Sequence, residues 1–371
     1  MQSKAADGGE VIGESVTDTR LEQLRGWALG VLRQLLDDPA LEEASLTPVS
    51  GDASFRRYFR LQAGQDSFIA TDAPVEHEDN PRFVRVCNMF RDAGVLAPKV
   101  FASDFEQGFL LQEDLGDSLY LDSLLAARKN DDRERIDALY RAALDALVQF
   151  QAGIDKKRLA PYDQAALRAE MALFHEWFCP QLLGIELSET DQALIDAVYR
   201  FLEEAALDQT QVAVHRDYHS RNLMIPDPQR YPAEAVPGIV DFQDAVAGAY
   251  SYDLVSLLRD CYIRWDDDSI ESLADYYYQA ARASKVLPAE LEFSQLQRDM
   301  DLMGLQRHLK VLGIFSRLYI RDKKSRYLAD IPLVISYFLD VAEKYPELQA
   351  FLGWFREVVL PVARDKLDLE F

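Results

Sequence analysis

Val212-Ala-Val-His215-Arg216-Asp217-Tyr218-His219-Ser220-Arg221-Asn222-Leu-Met-Ile225 is the stretch on which the fold turns. Its ends are apolar and its middle is polar, so it reads as a strand, a turn and a second short strand. Asp217 and Asn222 stand five residues apart in the turn. Further along, Gly238-Ile-Val-Asp241-Phe242-Gln243 is another apolar strand that ends in an acid. A polar hairpin whose Asp and Asn bond only their own backbone would account for the first stretch alone. It would not account for the acid at the end of the following strand.

The spacing His215-Arg216-Asp217 to Asn222 is the H-R-D-x-x-x-x-N pattern of kinase-type catalytic loops. The chemistry explains the residue types. In phosphoryl transfer one carboxylate, here Asp217, orients the attacking hydroxyl and takes its proton. An amide and a second carboxylate, here Asn222 and Asp241, suit a magnesium ion that neutralises phosphate oxygens.

Composition narrows the class. The chain has 371 residues, enough for two lobes, and 63 acids against 40 bases give a formal charge of -23. That balance argues against nucleic-acid or anionic-membrane partners and would suit a cationic substrate or simply solubility. Cys87, Cys179 and Cys261 are too far apart for a metal pair or a disulfide framework, and read as buried thiols. Residues 1–19 read as a flexible lead-in with neither signal peptide nor anchor, and no run is long enough to span a membrane. A cytoplasmic enzyme is the expectation.

Periodicity predicts a helix over residues 20–36 and strands over 46–49, 57–62 and 67–71. A helix over 81–93 ends at Gly94, and a hairpin follows over 100–105 and 109–112. Beyond Tyr120 the pattern is helical, with helices near 132–153, 163–182, 189–207, 250–263, 269–284, 291–320, 333–343 and 349–364. The expected fold is α+β: a strand-rich nucleotide-binding lobe over residues 20–113 and a helical lobe over 114–371 that carries the catalytic loop and acceptor site.

His215-Arg216-Asp217 with Asn222, Ile239-Val-Asp241-Phe242 and Ala249-Tyr250-Ser-Tyr252-Asp253-Leu254 resemble the aminoglycoside phosphotransferase and choline kinase branch of the kinase superfamily. By that resemblance the fold is a two-lobe kinase fold with ATP between the lobes, and Asp253 caps a helix and braces the catalytic loop. Within the branch, longer stretches are similar to bacterial anomeric sugar kinases of cell-wall recycling. They include Ser50-Gly-Asp-Ala-Ser-Phe-Arg-Arg-Tyr-Phe-Arg60, Gly108-Phe-Leu-Leu-Gln-Glu-Asp-Leu-Gly-Asp117 and Leu305-Gln-Arg-His-Leu-Lys-Val-Leu-Gly-Ile-Phe-Ser-Arg317. This implies ATP- and Mg2+-dependent transfer to the 1-hydroxyl of N-acetylmuramate or N-acetylglucosamine. The α-1-phosphate would pass to a sugar-1-phosphate uridylyltransferase.

The same comparison assigns further roles. Glu113 and Leu115 lie where the adenine-binding hinge belongs, and Gly51, Ser54, Arg56 and Arg57 lie in the expected phosphate loop. One departure stands out. Ser67-Phe-Ile-Ala-Thr71 lacks the phosphate-gripping lysine, and the helix after it lacks the partner glutamate. Arg56 or Arg57 would then supply the positive charge. A catalytically dead nucleotide-binding module is the competing reading, and a kinase of choline or an aminoglycoside is another. For the sugar, Glu170, Trp177 and His219 are the candidate contacts, although aromatics such as Phe174, Trp177 and Phe178 at this spacing are commonly core. Arg307, His308, Arg317 and Arg321 form a basic set suited to a lactyl carboxylate, with His308 in apolar company.

Overall fold

The computed structural model describes residues 18–38, 45–49, 55–227, 230–231 and 236–367. Gly51 and Ser54 lie outside the described residues. Packing divides the chain into two compact units, Met1–Pro81 with Val100–Asp114, and Arg82–Lys99 with Leu115–Phe371. The expected single cut at residue 113 is therefore interrupted, because Arg82–Lys99 group with the helical unit.

The first unit is a five-stranded antiparallel sheet in the order β1-β2-β3-β5-β4. The strands are β1 (Ser45–Val49), β2 (Arg57–Ala63), β3 (Asp66–Asp72), β4 (Val100–Asp104) and β5 (Phe109–Glu113). Alternation does the work in β2, where Phe59, Leu61 and Ala63 are buried, and in β3, where Phe68 and Ala70 are. Helix α1 (Thr19–Leu35) starts at Asp18, whose carboxylate accepts the Leu21 N–H at 3.1 Å. It lays Leu24, Ala28 and Leu32 on that apolar face with Phe109 and Leu111. Each such buried Leu or Phe contributes about 1.5–3 kcal/mol.

Four arginines of this unit, Arg20, Arg56, Arg57 and Arg60, have carboxylate partners. Arg57 is tied to Asp18 and Asp72, Arg56 is buried against Glu78 at 2.8 Å, and Arg60 pairs with Asp114 at 2.5 Å. As the sequence predicts, β3 carries no lysine.

Helix α2 (Asn80–Asp92) begins in the first unit and runs into the second. The second unit continues with α3 (Tyr120–Lys129), α4 (Arg133–Gly153), the short strand β6 (Ala160–Pro161), α5 (Gln164–Leu173) and α6 (Glu189–Leu207). Then come strands β7 (Gln211–Val214), β8 (Leu223–Met224), β9 (Gly238–Ile239) and β10 (Val246–Ala249). The rest is helical: α7 (Ser251–Leu258), α8 (Asp267–Ala283), α9 (Phe293–Ile320), α10 (Ile331–Ala342), α11 (Gln349–Trp354) and α12 (Leu360–Leu367). The expected helix over 163–182 is not uniform. At Phe174–Leu182 it widens into a π-helix that contains Pro180, a residue with no N–H to give to the ladder. Helix α3 and strands β6 and β10, absent from the periodicity reading, complete the unit.

Helix α9 is the axis of this core. Its apolar side chains join Phe174, Phe178, Phe338, Phe351 and Phe355 in one cluster. Yet Asp299, Asp301, Gln306, Arg307, His308, Lys310 and Ser316 are buried on it too. Buried polar groups need partners, so a helix this polar inside marks a site. Among the described residues no helix is long and apolar enough to cross a membrane.

Gly313 lets α9 approach α5, because a Cβ there would fall on the backbone of Leu173. Gly313→Ala should cost about 1–3 kcal/mol in urea unfolding. Gly26→Ala on α1, where nothing lies within 4 Å, should be neutral or stabilise by up to about 1 kcal/mol. Equal effects would contradict the close packing of α9 on α5.

Candidate active site

The loop between β7 and β8 joins two different sheets. β7 pairs with β10 through Val214 and Val246, whereas β8 pairs with β9 through Leu223 and Ile239. Leaving one sheet for another forces a sharp course, and Arg216 takes φ +80°. Asp241, just past β9, takes φ +63°. Left-handed backbone at a non-glycine costs about 1–3 kcal/mol and persists only where neighbours hold it.

Asp253 holds the first of these turns. Fully buried, its carboxylate accepts the His215 N–H at 2.6 Å and the Arg216 N–H at 3.0 Å. Burial pushes its pKa up to about 7 against those two bonds. The bracing expected of Asp253 is thus present, but the capping is not. Tyr250 precedes α7 and gives no side-chain cap, and Asp253 lies inside the helix.

His215 ties the two strained segments together. Its Nδ1 accepts the Asp217 N–H at 3.3 Å, and its Nε2 lies 3.0 Å from the Val240 carbonyl. A carbonyl only accepts, so Nε2 carries the proton. Burial lowers the His215 pKa to about 4 and keeps the ring neutral. Asn222 adds the next link. Its Nδ2 donates to the Asp217 carbonyl at 3.0 Å and to the Asp241 carboxylate at 3.2 Å, and its carbonyl accepts the Val240 N–H at 3.1 Å. A Cβ at Gly238 would fall 2.8 Å from the Leu115 Cδ1, so a larger residue there would require the Leu115 side chain to shift.

Asp217, Asn222 and Asp241 are therefore together, as the motif predicts. Burial alone would raise the Asp217 pKa, but the cations around it, Lys310 first and then Arg216 and Arg307, hold it down at about 2. The carboxylate is ionised at any working pH. Among the described residues no group of three or more His, Cys, Asp or Glu could hold a metal. The amide oxygen of Asn222 and the carboxylate of Asp241 nonetheless fit magnesium, which takes one or two protein oxygens and completes its shell with phosphates and water.

Beneath the loop lies an ion cluster that the sequence reading did not assemble. Glu170 on α5 pairs with Arg216, with Lys310 of α9 at 3.2 Å, and with the Tyr162 hydroxyl. Lys310 also donates to the Tyr252 hydroxyl at 2.7 Å. Glu170, a candidate sugar contact, has both its oxygens engaged by these groups. Ser220 is fixed by Asp260, which accepts its N–H at 2.9 Å and its hydroxyl.

The remaining expected residues fall into different places. His219 follows Asp217, stands edge-on to Tyr262 at 5.3 Å, and leaves its buried Nδ1 without a hydrogen-bond partner. Trp177 is partly exposed on the π-helix, whereas Phe174 and Phe178 stack in the core at 5.5 Å. Leu115 is buried and Glu113 ends β5. Of the basic set, Arg321 pairs with its neighbour Asp322, and Arg317 is half-buried. His308 stacks on Tyr337 at 5.5 Å with neither ring nitrogen bonded, a core histidine but not a satisfied one. Arg307 is buried near Asp217.

The sequence profile of the phosphotransferase enzyme family matches residues 45–291. The chain belongs to that family. A Pseudomonas putida protein named N-acetylmuramate/N-acetylglucosamine kinase is 42% identical over 89% of this chain and 94% of its own length. A Neisseria meningitidis protein of the same name is 36% identical over 85% of this chain and 90% of its own. Among solved structures, choline kinase LicA from Streptococcus pneumoniae covers 84% of this chain and 98% of its own at TM-score 0.56 and 12% identity. A Plasmodium vivax ethanolamine kinase covers 88% of this chain and 95% of its own at TM-score 0.58 and 9% identity. These two share the fold, which is protein-kinase-like.

Asp253→Ala leaves two buried N–H groups unpaired at a strained turn. It should lose about 1–3 kcal/mol per orphaned group in urea unfolding and at least about tenfold in phosphotransferase kcat. Lost stability with unchanged kcat would reduce Asp253 to a purely structural group.

Proposed function

We propose that this chain is an ATP-dependent kinase that phosphorylates the anomeric hydroxyl of N-acetylmuramate and N-acetylglucosamine, giving the α-1-phosphate. The observation that carries the reading is Asp217, an ionised carboxylate held beside Asn222 and Asp241, in a chain 42% identical to a kinase named for those sugars.

Asp217 accepts a hydrogen bond from the sugar 1-hydroxyl and aims its oxygen at the γ-phosphorus of ATP. Its pKa near 2 makes it a weak base, and a weak base suffices. The transition state is loose, the proton leaves late, and an anomeric hydroxyl is more acidic than an ordinary alcohol. Asn222 and Asp241 would hold magnesium, which supplies charge neutralisation at the phosphate oxygens. His215 and Asp253 position Asp217 without touching substrate. Arg56, Arg57, Gly51, Ser54, Glu113 and Leu115 stay the proposed nucleotide contacts, with Arg56 and Arg57 having to exchange a carboxylate partner for phosphate.

Charge near Asp217 separates this reading from a choline or aminoglycoside kinase. The chain is acidic overall, yet Arg216, Arg307 and Lys310 gather at Asp217. Glu170 pairs with two of these cations, which leaves Arg307 as the group that disfavours a cationic acceptor and suits a neutral or anionic one. A catalytically dead module would have no use for an Asp217 so strongly ionised. In the proposed role the protein acts in the cytoplasm in peptidoglycan recycling, and its product goes to a sugar-1-phosphate uridylyltransferase.

The test is ATP consumption with magnesium across N-acetylmuramate, N-acetylglucosamine, glucose, choline and kanamycin, with the phosphate located by phosphorus NMR. A 1-phosphate from the two amino sugars is the expected result. Turnover of choline or kanamycin in their place would overturn the substrate. Asp217→Asn should lower kcat at least about 100-fold and leave ATP binding within a few-fold; normal turnover would remove Asp217 from the chemistry.

A further inference from the structure

Arg307 differs from the other cations at Asp217. Arg216 and Lys310 share the Glu170 carboxylate. Arg307 has only 3% of its surface exposed, and its Nε has no hydrogen-bond partner. Among the described residues it forms no ion pair. Its guanidinium carbon sits 5.7 Å from the centre of the Tyr252 ring, the same ring that Lys310 approaches at 5.4 Å one turn further along α9.

Burial opposes the charge of Arg307. Tyr252, Cys261, Asp217 and Asp260 favour it and keep the group protonated. A charged, planar fork of five donors is thus enclosed beside the catalytic carboxylate with donors unfilled. Leaving such a group unpaired is costly unless a ligand completes it. The fork geometry suits a carboxylate, which it grips through two parallel bonds. His219, also beside Asp217, offers a second unpartnered atom, its buried Nδ1. The ring is neutral because burial lowers its pKa, so it suits an uncharged polar group of the sugar.

The two sugars of the proposed function differ in one respect that matters here. N-acetylmuramate carries a lactyl ether ending in a carboxylate, and N-acetylglucosamine carries a hydroxyl at that carbon. We propose that Arg307 binds a carboxylate on the acceptor sugar and so sets a preference for N-acetylmuramate over N-acetylglucosamine. The inference rests on the sugar-kinase reading above and adds the residue that discriminates within it.

The experiment compares kcat/KM for N-acetylmuramate, its methyl ester and N-acetylglucosamine, in the wild-type protein and in Arg307→Met. Masking the carboxylate as the ester should cost the wild type about 10- to 100-fold, the scale of a hydrogen-bonded charge pair. Arg307→Met should lose a similar factor on N-acetylmuramate, chiefly in KM. Its losses on N-acetylglucosamine and the ester should be smaller, equal to one another and chiefly in kcat, because these two share only the lost charge near Asp217 and not a carboxylate partner. Its Tm should be unchanged or higher, since a buried unpaired charge has been removed. A merely structural arginine would instead lower Tm and depress all three substrates together. Equal losses on both sugars, or a wild type indifferent to the ester, overturn the proposal while leaving the kinase intact. If Arg307→Met does not fold, the wild-type ester comparison decides alone. A wild type that phosphorylates neither sugar sinks the functional reading and this proposal with it.

Discussion

Two hydrogen bonds from the backbone of His215 and Arg216 to the buried Asp253 carboxylate carry the rest of the site. They hold Arg216 in a left-handed conformation that its side chain disfavours. That twist sets the direction of Asp217, the next residue. It also turns the Arg216 guanidinium to Glu170, which binds Lys310 of α9 in turn. One helix, one strained turn and one buried ion cluster are in this way a single mechanical object. Loosening Asp253 would move both the reacting carboxylate and the charges that keep it ionised.

The electrostatics run against the composition. A chain with formal charge -23 concentrates Arg216, Arg307 and Lys310 around Asp217. Average charge governs solubility and long-range steering, whereas a buried site is governed by its few nearest groups. Net charge therefore gives no guide to the acceptor at this site. The neutral His215 ring works differently. It adds no charge, and it fixes the Asp217 amide relative to Val240, the residue before Asp241.

Much of this was legible in the sequence, for identifiable reasons. β2, β3 and β5 show in apolar patterning, and Asp217, Asn222 and Asp241 show because their spacing is local. The strand-rich and helix-rich halves of an α+β fold follow from the change in periodicity near Tyr120. What stayed hidden depends on pairing over long separations. The two-residue strand β6 has no periodicity to read, and nothing local says that β7 and β8 join different sheets. The Glu170–Arg216–Lys310 cluster draws on three elements far apart in the chain. Lys310 in particular sits in the apolar run of α9, where a lysine looks like an interruption until its partner is known. Glu170 stands in the sequence as a candidate contact, and only the fold shows its oxygens engaged by Arg216, Lys310 and Tyr162. The missing lysine of β3 remains a real departure, because the arginines nearby have carboxylate partners of their own.

The most direct measurement is a crystal structure of the protein with a non-hydrolysable ATP analogue, magnesium and N-acetylglucosamine. The account predicts the anomeric oxygen about 2.6–3.2 Å from the Asp217 carboxylate and in line with the terminal phosphate. Another sugar hydroxyl in that place, or a sugar bound away from Asp217, would contradict it.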